Sequence, residues 1–263
     1  MDWDDWIATW ALHAESQAFK RRLGLAIEYA QRGATVGNMF CALSGGKDGC
    51  ALAAVLVEGG MADMPMVHCH TDLNTPGMEE CAYATADRFD LELEVIEPDV
   101  DVWALLCSLP SGEPVWGEAN HSTLMRHIAS GNMLVAHLYE HQYRGNFSGM
   151  RAEESRARRL NRKFRGPLYQ LRDDTWMCQP IVDWMARDVF AMLVSREAPI
   201  HPHYRLMLER FQVEPESPSC RVDCMIPDER VTSWPVGYQV RMLYPDLWRR
   251  MVAARPELRL QGG

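Results

Sequence analysis

Apolar residues recur at helical spacing through residues 3–32, at Trp6, Trp10, Ala14, Phe19, Leu23, Ile27 and Ala30, and stop near Gly33. That spacing predicts one or two leading helices. The pattern then changes. Thr35–Leu43 is a mostly apolar run, the mark of a strand buried on both faces. A short polar loop follows, and helical spacing resumes over Gly49–Glu58 until Gly59-Gly60. Met66–His70 predicts a strand ending in Thr71-Asp72, Met78–Phe89 a helix, and "LELEVIEP" a strand closed by Pro98. Strands and helices alternating with short links predict an α/β fold, a parallel sheet with helices on both faces. Ligands of such sheets sit beyond the carboxyl ends of the strands, which singles out residues 44–49 and 70–72.

Further along, 99–118 reads as irregular with one short helix, and 121–140 as helical. Tyr143–Met150 predicts another strand, and "MCQPIVDW" leads into a helix over Ala186–Ser195 capped by Asp183. One more helical stretch covers 237–254. The chain carries no internal repeat or low-complexity linker. It is therefore divided into N-terminal helices (1–34), an α/β domain (35–210) and a helical C-terminal extension (211–263).

Hydrophobic residues make up 47% and charged residues 24% of the 263 residues, as in ordinary soluble proteins. No apolar run approaches the ~20 residues that span a bilayer. The opening "MDWDDWIATW" has neither the basic region nor the apolar core of a signal peptide, so a cytoplasmic protein without membrane partners is expected. The net charge of −9 argues against broad affinity for nucleic acid. The charge is uneven, however: Arg151–Arg172 holds eight Lys/Arg against four acids counted through Asp174. Such a segment in an acidic protein predicts a bound anion. Most of the eight cysteines lie in apolar runs and read as buried thiols in a reducing compartment. Cys220 and Cys224 stand close together and are candidates for chemistry.

The loop Ser44-Gly45-Gly46-Lys47-Asp48-Gly49 joins the first predicted strand to a helix. Glycines there let backbone N–H groups approach an anion at the positive end of the helix, and Lys47 adds a full charge that reaches a phosphate. The order is not that of a Walker A loop, which needs G-x-x-x-x-G-K-[ST]. The plainer reading is a glycine-rich turn.

"SGGKDG" resembles the S-G-G-x-D-S loop of the PP-loop ATP pyrophosphatase superfamily. Three further stretches are similar to its phosphoadenosine-phosphosulfate (PAPS) reductase-like branch: "HTDLNTPGMEE", "GMRAEESRARR" and "QPIVDWMARDVFAMLVSREAPIHPHY". The resemblance runs in one order from about residue 36 to 205. It implies a Rossmann-like, adenine nucleotide alpha hydrolase-like fold with ATP and Mg²⁺ as ligands. It also implies that Ser44, Gly45, Gly46, Lys47, Asp48 and Gly49 hold the pyrophosphate portion. Asp72 is then expected beside the nucleotide or its Mg²⁺, with Asp48 and Asp72 as metal ligands. A helix-borne acid follows, Glu79 or Glu80. Arg151 and Arg158 are expected on the outer phosphates or the reacting group, where a guanidinium fork suits phosphate oxygens. Ser155 either contacts phosphate or caps a helix. Lys47, Asp48, Arg151 and Cys224 are the expected catalytic set.

The chain also departs from that family. The E-C-G-x-H motif of sulfonucleotide reductases is absent from it. "SCRVDCMIPDE" lacks the clustered cysteines of iron-sulfur relatives, and two thiolates do not supply the four of an ordinary cluster. No iron-sulfur cluster is expected. Cys220 and Cys224 either relay sulfur as a persulfide or are structural. The leading expectation is an ATP pyrophosphatase that adenylates a substrate oxygen for sulfur insertion, as in DNA phosphorothioation. DNA or another polyanion would lie at Arg151–Arg172 and a cysteine desulfurase or other donor would supply sulfur; the oligomeric state stays open, with a homodimer among the options because dimers are frequent in the family it resembles. The alternatives are a divergent PAPS or adenosine phosphosulfate reductase using Cys220 or Cys224, and a nucleotide-binding subunit without turnover.

Overall fold

Polar residues at the ends of apolar runs set the element boundaries in the computed structural model, which describes residues 1–109, 130–222 and 236–256. Asp2 accepts from the Asp5 amide at 2.9 Å and Asp5 accepts from the Asp2 amide at 3.0 Å, a reciprocal cap that starts α1 (Trp3–Ala14). Ser16 caps α2 (Gln17–Ala34) by accepting from the Phe19 amide. Their buried faces carry Trp6, Trp10, Ala14, Phe19, Leu23, Ala26 and Ala30. All but Ala26 are residues whose spacing announces the helices, although Ile27 of the predicted stripe is only partly buried.

The first strand, β1 (Met39–Ala42), is shorter than the predicted run, and α3 (Lys47–Glu58) starts two residues earlier than predicted. Cys50 through Leu56 are all buried, so α3 is a core helix rather than an amphipathic one. Next come β2 (Met66–Cys69), α4 (Met78–Phe89), β3 (Leu93–Ile96), α5 (Val102–Ser108) and α6 (Ser130–Glu140). After β4 (Gly145–Phe147), a 3₁₀ turn at Ala152–Glu154 leads into α7 (Arg156–Arg165). Two strands not anticipated follow, β5 (Leu168–Gln170) and β6 (Trp176–Cys178). They form an antiparallel hairpin around Asp174, which has φ 65°. Three-residue strands carry too few positions to display alternation.

The chain closes with α8 (Ala186–Ser195), α9 (Pro202–Phe211), α10 (Val236–Leu243) and α11 (Pro245–Ala254). Two expectations are corrected here. Asp183 does not cap α8. Met185 occupies the cap position, Asp188 accepts from the Met185 amide at 2.8 Å, and Asp183 pairs instead with Arg162. The single stretch over 237–254 is two helices, because Pro245 lacks an N–H and takes the first position of a new helix.

The six strands form one sheet in the order β3-β2-β1-β4-β6-β5. β1 pairs in parallel with β2 and β4, β4 in parallel with β6, and β5 is antiparallel at the edge. This is a Rossmann-like α/β fold with further helices at its C-terminal end. The structure separates into two compact units. One comprises Met1–His68, Gly77–Val95 and His137–Val222; the other comprises the described parts of Cys69–Pro76, Ile96–Ala136 and Asp223–Gly263. In the first, Trp10 stacks on Phe190 with ring centroids 4.3 Å apart. In the second, Leu73, Val102, Leu106 and Leu109 form one apolar cluster, and Val240, Leu247, Met251 and Val252 another. Among the described residues, no helix is long and apolar enough to cross a membrane.

Candidate functional site

From β1 the sheet grows one way through β2 and β3 and the other way through β4, β6 and β5. That reversal is the position at which open α/β sheets bind their ligands, beyond the carboxyl ends of the strands. Cys41 is in register with Phe147, so the chain after Ala42 and the chain after Phe147 emerge side by side. These two loops, Leu43–Gly46 and Ser148–Ser155, build the site.

Gly46 caps α3 without any side-chain hydrogen bond. The first amides of a helix have no carbonyl partner within it, and the helix dipole makes that end positive. An uncapped start of this kind leaves donors free for an anion. Two glycines let neighbouring backbones approach closely beside it. Gly45 has φ +74°, and a Cβ there would stand 1.9 Å from the Met78 carbonyl oxygen. A Cβ on Gly149 would stand 2.8 Å from the Asp48 carbonyl oxygen, so the two loops meet backbone to backbone. Gly49 is tight as well, since a Cβ would lie 3.0 Å from the Ser44 amide nitrogen.

The charged groups converge on Asp48. Lys47 is 8% exposed; its Nζ lies 3.0 Å from Asp48 Oδ2 and 5.5 Å from the centre of the Tyr204 ring. Arg151, 3% exposed, donates from Nε to Asp48 Oδ1 at 2.6 Å. Its Nη1 donates to Glu153 and, at 3.4 Å, to the Trp184 carbonyl. Burial pushes the Asp48 carboxyl up, but the Lys47 and Arg151 charges and their hydrogen bonds outweigh it and hold it below the usual carboxylate range. Burial opposes the charge of Arg151, yet Asp48, Glu154 and Glu153 raise its pKa further. Tyr204 is held neutral, first by burial and then by the Asp48 charge.

The remaining expected residues fall in several places. Ser155 caps α7 by accepting from the Arg158 amide at 3.1 Å. Arg158 pairs with Glu154, Arg159 donates to the Glu153 carbonyl, and Arg162 pairs with Asp183. Glu79 and Glu80 both lie in the first turn of α4. Asp72 belongs to the second unit, where Arg250 reaches its Oδ2 at 3.2 Å and both line a cavity of 670 Å³ with His70, Asp101, Trp103 and Cys107. Cys220 is 1% exposed, and burial pushes its thiol up to about 12 despite the nearby Lys47 charge. Cys224 lies outside the described residues.

Sequence reasoning did not single out Tyr204 or Trp184 as parts of the site. Tyr204 stands in the motif that ends "HPHY", but nothing local shows that its ring lies against Lys47.

The donor set suits the phosphates of a nucleotide: an uncapped helix start, a glycine cradle and one buried lysine. It suits Mg²⁺ less well. Oδ2 of Asp48 is occupied by Lys47 and Oδ1 by Arg151, and Asp72 faces Arg250, so these carboxylates do not present a ready set of metal ligands.

The sequence profile of the phosphoadenosine phosphosulfate reductase domain matches residues 38–210. The phosphoadenosine 5'-phosphosulfate reductase of Xylella fastidiosa (strain M12) is 25% identical over 208 residues, covering 75% of this chain and 78% of that protein. Its counterpart in Xanthomonas oryzae pv. oryzae (strain PXO99A) is 25% identical over 204 residues, covering 73% and 75%. Among solved structures, the PAPS reductase from Candida auris in a phosphate complex aligns with a TM-score of 0.50 and 15% identity, over 71% of this chain and 90% of that one. That last likeness is one of fold.

Proposed function

Because the chain belongs to the phosphoadenosine phosphosulfate reductase domain family, we propose that it binds ATP at Ser44–Gly49 and splits it between the α and β phosphates. A substrate oxygen attacks the α-phosphorus, the α–β bridging bond breaks, and its electron pair leaves with pyrophosphate. AMP is then joined to the oxygen and is displaced by the incoming sulfur nucleophile. The observation that carries this reading is the uncapped start of α3 with Lys47 buried beside it. Backbone dipoles and a fixed cation placed where phosphate charge develops are what such a transfer requires. Arg151 acts from the second loop, holding Asp48 and through it the first turn of α3.

The acceptor we favour is a nucleic-acid backbone, in a phosphorothioation reaction with a cysteine desulfurase or similar donor. Helix α7 supports this by presenting Arg156, Arg159, Lys163 and Arg165 together with Phe164, which is 78% exposed. Basic side chains interleaved with an exposed ring suit a single strand.

A second reading is supported by the curated relatives, which are PAPS reductases. It needs a nucleophilic thiolate, and the buried Cys220 thiol, pushed up to about 12, disfavours that one.

Incubation of the purified chain with ATP and Mg²⁺, with pyrophosphate and orthophosphate assayed separately, tests the proposal. Pyrophosphate release that Lys47→Ala abolishes is the expected result. Orthophosphate alone, or tight ATP binding with no product, overturns it. Thioredoxin-dependent sulfite release from PAPS would establish the second reading.

A further inference from the structure

A cluster that the nucleotide site does not use lies between the edge strand β3 and the end of α6. Glu94, His137 and His141 each offer one ligand atom, and the three atoms lie within 4.8 Å of one another. The helical turn runs on through His141, whose amide donates to the His137 carbonyl at 3.0 Å, so the i, i+4 spacing sets both imidazoles on one face. Their ring centroids are 4.3 Å apart.

Within this cluster His137 points to a ligand. It is 4% exposed, and its Nε2 is buried without a hydrogen-bond partner among the described residues. That atom faces Glu94 Oε2 at 3.6 Å, longer than a hydrogen bond. A buried ring nitrogen left this way is costly unless something else accepts its lone pair. Burial also opposes protonation of the ring, and it outweighs the favourable charge of Glu94. Phe40 packs edge-on against the imidazole at 5.5 Å and Tyr143 lies at 5.6 Å, which fixes its plane.

We propose that Glu94, His137 and His141 form a binding site for zinc or a similar late first-row divalent ion. Neighbouring ligand atoms of a tetrahedral zinc stand about 3.3–3.6 Å apart, given bonds of about 2.0–2.2 Å. The separation from His137 Nε2 to Glu94 Oε2 already matches that. Two imidazoles and a carboxylate select zinc over Mg²⁺ or Ca²⁺, which prefer oxygen ligands. Glu94 and His141 are exposed, so the ion enters from solvent and water completes its coordination. Bound there, zinc ties the edge strand to the helix that precedes β4.

Calorimetric titration of the chelator-treated chain with zinc chloride tests this, with Co²⁺ absorption as a report on geometry. One equivalent is expected to bind, with a tetrahedral Co²⁺ spectrum and a higher Tm. His141→Ala and Glu94→Gln, both at exposed positions, should keep the metal-free Tm while weakening zinc binding by about 10–100-fold. Failure of the wild-type chain to take up zinc overturns the proposal. So do variants that bind like the wild type, because the ion would then sit on other groups such as the cysteines.

Discussion

Arg151 donates through Nε to Asp48 Oδ1 at 2.6 Å, and so ties the loop after β4 to the first turn of the helix after β1. Removing the guanidinium leaves a carboxylate only 22% exposed that has lost one of its two cations. Arg151→Met is expected to lower stability by about 3 kcal/mol in urea unfolding. Adding Asp48→Asn should recover part of that loss, because residues in contact do not act additively. A loss that is the same with and without Asp48→Asn would show that the pair is not coupled.

Two glycines with positive φ, Gly45 in the cradle and Gly60 past the far end of α3, differ in what confines them. Gly45 combines φ +74° with contact to the Met78 carbonyl, whereas Gly60 has φ +80° with nothing within 4 Å of where a Cβ would stand. Gly60→Ala is therefore expected to cost about 1–2 kcal/mol, from conformation alone. Gly45→Ala should cost more and abolish nucleotide binding, read by thermal unfolding with and without ATP. Gly49→Ser should weaken ATP binding, because its Cβ pushes on the Ser44 amide before its hydroxyl can help. Equal costs for Gly45→Ala and Gly60→Ala would count against the close approach.

His203 gives the pH dependence a sign. Burial, helped by the neighbouring His201, pushes its imidazole down to about 4 from the ordinary 6.5. Between those values the unfolded chain binds a proton that the folded chain does not, so stability falls as pH drops from 6.5 toward 4 and then levels. The contribution reaches about 3 kcal/mol. Urea midpoints from pH 7 to 4 should show this slope, and His203→Gln should flatten it. An unchanged slope in that variant would assign it to other groups.

Thiol reactivity separates the two chemistries. Cys107 is exposed while Cys220 is buried, with its thiol pushed up to about 12. Iodoacetamide at pH 8, followed by peptide mass spectrometry, should modify Cys107 at least about ten-fold faster than Cys220. Modification of Cys220 at the rate of Cys107, with simultaneous loss of turnover, would restore a thiol-based mechanism.

The strands and helices from Met39 to Ile96 were readable along the chain because each depends on local periodicity and on glycine or proline at its ends. The glycine-rich loop was readable for the same reason, since Gly45, Gly46 and Lys47 are neighbours. Pro245 carried its message too, although the apolar spacing around it masked the break. Other features depend on residues that folding brings together. Arg151 and Asp48 are 103 positions apart, and their ion pair exists because β1 and β4 are adjacent in the sheet. Asp72 faces Arg250, 178 positions away, in a separate unit. Tyr204 lies under Lys47, and Glu94 on strand β3 faces His137 on helix α6. Chain-local chemistry thus established the α/β order and the glycine-rich loop after the first strand, while tertiary packing alone decided which charges neutralise one another, because the pairing of distant side chains follows strand order rather than spacing.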